Sequence, residues 1–416
     1  MSRLPLACGI AALLACWQAN AAETPSMEQL WQLVQKQQAE IEALKAQLQS
    51  TQQTVVKQEQ QVQATEQKLS ANEEQLAATD ASVQEILNQP PSKADWAENT
   101  QIGGYGELHY NGGDADQIDF HRFVLFFGHQ FNERTRFNSE LEVEHSLVGE
   151  SKPGEVEVEQ AYIEFDINSQ LRAKGGLFLL PIGILNEVHE PPTFFGVERN
   201  PVESRIIPST WWEGGVALNG EFNANLSWDA AVHSGLRTAA GSNYAIRNGR
   251  QKVAEAKAED LAYTFRLRYL PTPGLQLAAS YQRQEDVTQS LDPLAGGADL
   301  WTAHAIWTWK GFGLKALWAQ WDLDGAGPRA VGADKQDGFY IEPSYKFNQK
   351  WGVFARYNEW DNLAGDNLDS EFQQTDVGVN YWPHPNVVLK ADYQFQDLPN
   401  GGDGDDRINL GIGYQF

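Results

Sequence analysis

The stretch INLGIGYQF at residues 408–416 alternates apolar residues with small or polar ones without a break. Ile408, Leu410 and Ile412 fall on one side of an extended chain, and Asn409 falls on the other. A period of two is typical of a β-strand whose two faces meet different surroundings. Because a shift of one residue would exchange the two faces, the pattern specifies which side contacts an apolar medium.

The same alternation recurs throughout the chain after residue 100. Short connections such as NSQ, TPG and HPN alternate with long ones, of which 182–210 and 236–260 are the longest. An even number of strands with this alternation is typical of an outer-membrane barrel, whose closure leaves no unpaired backbone in lipid. We therefore predict an all-β fold, a 16-stranded antiparallel transmembrane β-barrel over residues 101–416. The predicted strands lie near 101–110, 118–131, 134–146, 157–167, 171–181, 211–219, 225–235, 261–271, 275–286, 299–310, 313–323, 338–348, 351–361, 374–383, 387–397 and 407–416.

A soluble β-sandwich is the alternative, but it would need a second sheet to cover sixteen one-sided strands. Aromatic residues near strand ends favour the barrel, since membrane proteins place aromatic belts at both interfaces. Seven tryptophans are predicted to form such a belt: Trp307, Trp309, Trp318, Trp321, Trp351, Trp360 and Trp382.

The first 21 residues read as a secretory signal peptide. Arg3 is followed by an apolar segment and by the cleavage pattern Ala19-Asn20-Ala21. Both cysteines, Cys8 and Cys16, lie within it, so the mature chain is expected to contain no disulfide. Lipidation of Cys16 is the alternative, because the residues before it loosely resemble a lipoprotein processing site.

A coiled coil is predicted for residues 25–89. An apolar residue recurs at every seventh place from Met27 to Val83, whereas many of the intervening d positions are polar. A single amphipathic helix packed on its own domain is the alternative. Pro90 and Pro91 end the helix, and residues 90–100 form a linker. We expect the coiled coil to lie in the periplasm.

The formal net charge of −25 argues against a nucleic-acid partner, because binding phosphates requires a basic surface. The predicted partners are outer-membrane lipid and lipopolysaccharide, small solutes or ions, and further copies of the chain.

The segment GGLFLLPIGILNEVHEPPTFFGVERNPVE, from Gly175 to Glu203, resembles the strand-five region of the phosphate-selective (O/P-type) family of Gram-negative porins. The resemblance rests on Phe178, on Pro181-Ile182-Gly183 and on Glu198-Arg199. It implies a trimeric, passive diffusion porin for small hydrophilic solutes, often anions. It also implies that loop 182–210 folds inward and narrows the channel.

Charged residues at inward positions of the strands, together with those of the loop, are the candidate pore residues. We expect acidic residues of the loop to face a basic wall, with Arg136, Arg266 and Arg268 meeting Glu187, Glu190 or Glu198. Such a transverse field would orient dipolar solutes. The candidate pore-lining and constriction residues are Arg122, Arg136, Arg172, Lys174, Arg266, Arg268, Arg356, Lys390, Glu140, Glu142, Glu187, Glu190, Glu198 and Arg199.

Catalytic and metal-binding motifs are sparse. We predict no cofactor, no catalytic residue and no metal ligand, since His189 beside Glu190 alone is weak support for a metal site. Two other functions remain open at this point: an outer-membrane enzyme of the lipase or protease type, and an envelope tether that acts through the coiled coil. The sequence identifies neither the solute nor the ion selectivity.

Overall fold

The computed structural model of the protein describes residues 95–113 and 116–416, together with a few positions between 27 and 45. The chain divides into two compact units, Met1–Lys93 and Ala94–Phe416. Those described positions of the first unit are helical, and the rest of the predicted coiled coil and the signal peptide lie outside the described residues. Among the residues described, no helix is both long and apolar enough to cross a bilayer.

The second unit is a closed antiparallel barrel of sixteen strands, which confirms the predicted fold. Strands β1 and β17 pair from Tyr105↔Gln415 to Gly112↔Ile408, and this pairing closes the sheet. The two-residue strand β16 pairs only with the end of β15. The strands are β1 (Thr100–Gly112), β2 (Gln117–Asn132), β3 (Thr135–Glu144), β4 (Val156–Asn168), β5 (Leu171–Leu179), β6 (Trp212–Asn223), β7 (Leu226–His233), β8 (Ala262–Thr272), β9 (Leu275–Gln284), β10 (Ala295–Trp309), β11 (Phe312–Gly325), β12 (Lys335–Lys346), β13 (Trp351–Asp361), β14 (Phe372–His384), β15 (Val387–Leu398), β16 (Gly402–Asp403) and β17 (Arg407–Gln415).

Among residues 95–113 and 116–416, the helical segments are short. They are the α-helices Asp95–Glu98 and Ala326–Ala330, the 3₁₀ turns Pro191–Thr193, Ala240–Ser242, Ile246–Gly249 and Pro399–Gly401, and the π turn Val202–Ile206.

The alternation of the sequence reappears as alternation between the outer face and the lumen. In β8, Phe265 and Leu267 are exposed on the outer face, while Thr264 and Arg266 are buried inside. Turning such an arginine into the lipid would cost about 2–4 kcal/mol at the bilayer midplane, so the register is strongly specified.

The predicted aromatic belt is only partly correct. Trp307, Trp309, Trp318 and Trp351 are exposed on the outer face, whereas Trp321, Trp360 and Trp382 are buried in the lumen. Trp318 and Trp321 belong to the same strand and are three positions apart. Because side chains alternate with a period of two, residues at this spacing must point to opposite faces.

The largest apolar cluster lies inside the barrel rather than between two sheets. Residues of the connection 180–211, including Ile206 and Trp211, pack in it against Trp321 and Tyr340 of the wall. Part of the lumen is therefore filled by a dry core that joins this connection to strands β10–β13.

Candidate functional site

The connection between β5 and β6, residues 180–211, crosses the lumen; we call it the constriction loop. Arg122 of β2 donates a hydrogen bond from Nη2 to the carbonyl oxygen of His189, 2.9 Å away. Arg356 of β13 donates one to the carbonyl of Phe195 at 2.6 Å. Since β2 and β13 lie in different parts of the barrel, the loop must run between them through the interior.

The two ends of the constriction loop are joined by Asn186, which is fully buried. Its Nδ2 donates to the carbonyls of Leu180 and Trp211 at 2.8 and 3.0 Å, and its Oδ1 accepts from Trp211 N at 2.6 Å. Sequence reasoning missed this residue, because a neutral amide inside a loop gives no signal that distinguishes it from a solvated one.

Glu203 organises the loop from within, because its carboxylate is fully buried and accepts several hydrogen bonds. Its Oε1 accepts from the backbone N of Ile184 and Leu185 at 2.5 and 2.7 Å, and its Oε2 accepts from Tyr340 OH at 2.9 Å. Gly183 has φ +77°, and a Cβ there would lie 2.5 Å from Glu203 Oε1. The turn therefore requires glycine.

A cavity of about 420 Å³ lies between the constriction loop and strands β1–β4, and we call it the vestibule. Besides Arg122, which pairs with Glu107, three arginines line it, and each of the three donates to a neutral oxygen. Arg199 Nη1 lies 2.8 Å from Thr210 Oγ1, Arg247 Nη1 lies 2.8 Å from Ser204 O, and Arg250 Nη1 lies 2.7 Å from Thr210 O. No carboxylate within residues 95–113 and 116–416 forms an ion pair with any of the three, so their charge remains available to a solute.

The positive charges of the vestibule repel one another. Burial, followed by repulsion from Arg250 and Arg205, lowers the pKa of Arg247 to about 10. Burial and the charge of Arg122 likewise lower the pKa of Arg199. Burial is the first cause of both lowered pKa values, because it disfavours the charged form, and repulsion from neighbouring guanidinium groups adds to it.

Acidic residues of the wall line the same vestibule. Glu142 and Glu144 belong to β3 and Glu157 to β4, and the Oε2 atom of Glu142 is buried with no hydrogen-bond partner in the described part of the chain. The expectation of an acidic loop facing a basic wall does not describe most of the vestibule. The wall contributes Glu142, Glu144 and Glu157 besides Arg122, and the long connections contribute Arg199, Arg247 and Arg250 besides Glu198. The reversal arises because Arg247 and Arg250 come from the next long connection, and no pattern in the sequence places that connection in the lumen.

Glu198 is held at the edge of the vestibule by β1. Its Oε1 lies 3.1 Å from His109 Nδ1 and accepts from Asn111 Nδ2 at 2.9 Å. Burial would raise the pKa of Glu198, but the hydrogen bonds and the charge of His109 lower it to about 2. Glu198 is consequently ionised at any physiological pH.

On the other side of the loop lies a recess of about 240 Å³ with both signs of charge. Arg266 pairs there with Glu187 and with Asp229, whose Oδ2 is 2.6 Å from Nε. Among the contacts expected between Arg136, Arg266 or Arg268 and the loop acids, only Arg266–Glu187 occurs within the described residues.

The remaining candidates contact the wall or aromatic rings. Arg136 pairs with Glu164 and Asp166, and Arg268 Nε donates to Ser227 Oγ at 3.2 Å. Arg172 lines the recess, Lys174 lies 4.8 Å from the ring centre of Phe178, and Lys390 lies 3.5 Å from that of Phe194. Glu190 has a buried Oε2 without a hydrogen-bond partner in the described chain, and Glu140 lies beside His189.

Known proteins share both sequence and fold with this chain. A family model described as Gram-negative porin matches residues 217–401. An uncharacterized protein of Aquifex aeolicus is 34% identical over 346 residues, which cover 74% of this chain and 78% of that protein. The structure of Salmonella typhi OmpF with daunomycin superposes with a TM-score of 0.55 at 14% identity, covering 76% of this chain and 98% of OmpF. The trimer form of Vibrio cholerae OmpT gives 0.53 at 11% identity, covering 76% and 99%.

Proposed function

We propose that the vestibule of this protein orients small hydrophilic solutes between two charged faces. The premise is that the chain belongs to the family of Gram-negative porins and is a passive diffusion porin of the outer membrane. The observation that carries this proposal is the placement of Arg199, Arg247 and Arg250 in one cavity with acidic wall residues. The family also argues for a channel rather than an enzyme of the lipase or protease type.

The two faces act on a solute through its dipole. An anionic group is attracted to the arginines while a cationic or donor group turns toward the glutamates of β3 and β4. Because the opposed charges lie on either side of the passage, a solute is aligned without being trapped at one point. Focusing of the field by the low-dielectric walls strengthens this effect.

A weak preference for anions is the selectivity that we infer. Three arginines without carboxylate partners support it, and so does the resemblance to the phosphate-selective (O/P-type) family. The facing acidic residues limit it, since they repel a solute with several negative charges. We therefore expect solutes that carry one anionic group to pass more readily than multiply charged phosphates.

Assembly as a homotrimer with a periplasmic coiled coil is part of the proposal. The trimer form of Vibrio OmpT supports three-fold assembly of such a barrel. Met27 and Val34, two of the predicted seam positions, are helical, as a coiled coil requires. Lipopolysaccharide is the expected lipid partner of the outer face.

The reversal potential of single channels in a salt gradient tests the selectivity. Replacing Arg199, Arg247 and Arg250 together by glutamine should lower the anion-to-cation permeability ratio by about twofold or more. Replacing Glu142, Glu144 and Glu157 by glutamine should raise that ratio. Arg329→Gln is the matched control, because this arginine is exposed in the connection between β11 and β12. Equal ratios in the parent and in both triple variants would refute the orienting vestibule.

A further inference from the structure

Three possible metal ligands meet where the constriction loop touches the wall. Glu140 of β3, Glu159 of β4 and His189 of the loop each offer one ligand atom, and these atoms all lie within 4.8 Å of one another. All three side chains are buried. The sequence suggested His189 with Glu190, whereas the structure places the two wall carboxylates around the imidazole.

The hydrogen bonding of His189 leaves one ring nitrogen directed at the carboxylates. Nδ1 lies 3.1 Å from the carbonyl oxygen of Asn186, and a carbonyl can only accept, so Nδ1 carries the proton. Nε2 lies 3.5 Å from Glu140 Oε1 and 3.7 Å from Glu159 Oε2. Neither Nε2 nor Glu159 Oε2 has a hydrogen-bond partner in the part of the chain that is described.

The spacing of these atoms distinguishes a metal site from an ion pair. A charged N–H donor normally approaches a carboxylate to about 2.7–2.9 Å, which is much closer than the gaps to Glu140 and Glu159. Ligands bound at about 2.0–2.1 Å around a tetrahedral zinc ion are separated by roughly 3.4 Å. The observed gaps are therefore close to the ligand separations of such a site.

The charge of the cluster also favours a cation. Glu140, Glu142 and Glu159 are all buried, and the guanidinium of Arg199 is near this group. The other nearby guanidinium, that of Arg122, is already paired with Glu107 at 2.5 Å. With a neutral His189, the carboxylates of Glu140 and Glu159 carry two negative charges against the single positive charge of Arg199, and buried charge is stable only when it is compensated.

We propose that Glu140, Glu159 and His189 bind a divalent first-row transition-metal cation, which ties the constriction loop to β3 and β4. Imidazole and carboxylate ligands suit Zn²⁺, whereas Ca²⁺ would need at least six oxygen ligands. Supporting contacts already orient the ligands, since Gln160 Nε2 donates to Glu140 Oε2 at 2.7 Å and Asn186 fixes the imidazole. Three protein ligands leave a fourth position for water. The inference does not depend on the proposed selectivity.

Zinc titration of the full-length, chelator-treated protein in detergent tests the site. A second group at the vestibule mouth, formed by Asp119, His121 and His145, offers ligand atoms too. The experiment therefore uses the double variant His121→Ala/His145→Ala as its background. We expect this background to bind one zinc ion per barrel, measured by metal analysis after gel filtration.

Glu159→Gln in that background should lower zinc affinity by about 100-fold or more, because it removes a ligand while preserving shape. Glu190→Gln is the matched control, since Glu190 is adjacent to His189 but outside the cluster, and it should retain the zinc. An unchanged β-sheet circular dichroism spectrum in detergent would show that each variant is folded. Anomalous diffraction at the zinc edge should place the ion between the three side chains.

The proposal is overturned if the background protein binds no zinc at about 100 µM free metal. It is equally overturned if Glu159→Gln keeps full affinity, or if Glu190→Gln is the variant that loses the ion. Absence of zinc from the background protein would mean that His189 is held as a protonated partner of the two glutamates.

Discussion

The constriction loop meets two different surroundings as it crosses the barrel. Toward β11–β13, Val202, Ile206 and Ile207 pack against Trp321 and other wall aromatics in a dry cluster. Toward β1–β4, the loop presents charged and polar groups to the vestibule of about 420 Å³. One side of the lumen is thus filled, and the other side is left open and charged.

The apolar and the polar side of the loop contribute in different ways, one to stability and the other to the placement of charge. Burying one large apolar side chain stabilises a fold by about 1.5–3 kcal/mol, without any demand on direction. Buried ion pairs roughly break even against the cost of removing charges from water, but they specify where charge lies. The apolar side therefore fixes the loop in the lumen, and the polar side specifies where charge lies along the proposed passage.

Removing the polar side should have the largest effect on the channel. Deletion of residues 188–200 leaves the Val202–Ile206 turn on its apolar partners and takes away the segment that faces the vestibule. Single-channel conductance should rise by roughly twofold or more, because the narrowest region is widened. An unchanged conductance in correctly folded protein would show that this segment does not limit the passage.

Weakening the apolar side should mainly affect stability. Trp321→Ala removes a fully buried ring from the cluster and should cost about 3–5 kcal/mol in the free energy of unfolding. Urea unfolding in lipid vesicles measures this. Trp318→Ala is the control, since Trp318 lies on the same strand but is 41% exposed on the outer face. A larger loss for Trp318→Ala would contradict the central role of the inner cluster.

Removing a single hydrogen bond within the apolar side should have an intermediate effect on the free energy of unfolding. Tyr340→Phe removes the hydroxyl that donates to Glu203 at 2.9 Å and leaves the ring in place. Hydrogen bonds to charged groups contribute about 1.5–3 kcal/mol, and we expect a loss in that range by urea unfolding. Conductance should remain unchanged, whereas a changed conductance would show that Glu203 also shapes the passage.

A substitution at the rim of the vestibule should have the smallest effect on stability and on ion selectivity. Lys252 pairs with Glu155 at 2.5 Å and also with Glu157, and all three are partly exposed to solvent. Lys252→Gln should change the free energy of unfolding by less than about 1 kcal/mol and shift the reversal potential slightly toward cations. A stability loss comparable to that of Trp321→Ala would show that the polar side fixes the loop as well.

The sequence by itself determined the number of strands, their register and which face meets lipid. Residues such as Phe265 and Arg266 alternate along one strand, and lipid and water impose opposite requirements on the two faces. This information is local, because a period of two can be recognised within about ten residues. The inward position of most candidate pore residues follows from the same rule.

Only the tertiary structure decided which inward residues touch the loop. Arg356 meets Phe195 from 161 positions away, and Trp382 meets Pro192 from 190 positions away. Neither pairing is encoded in any local pattern. The connection after β7 brings Arg247 into the vestibule in the same way, and so it reverses the expected direction of the field. Contacts of this kind arise when a closed barrel confines two long loops to one lumen, where the volume left by the apolar packing determines which charged groups face each other.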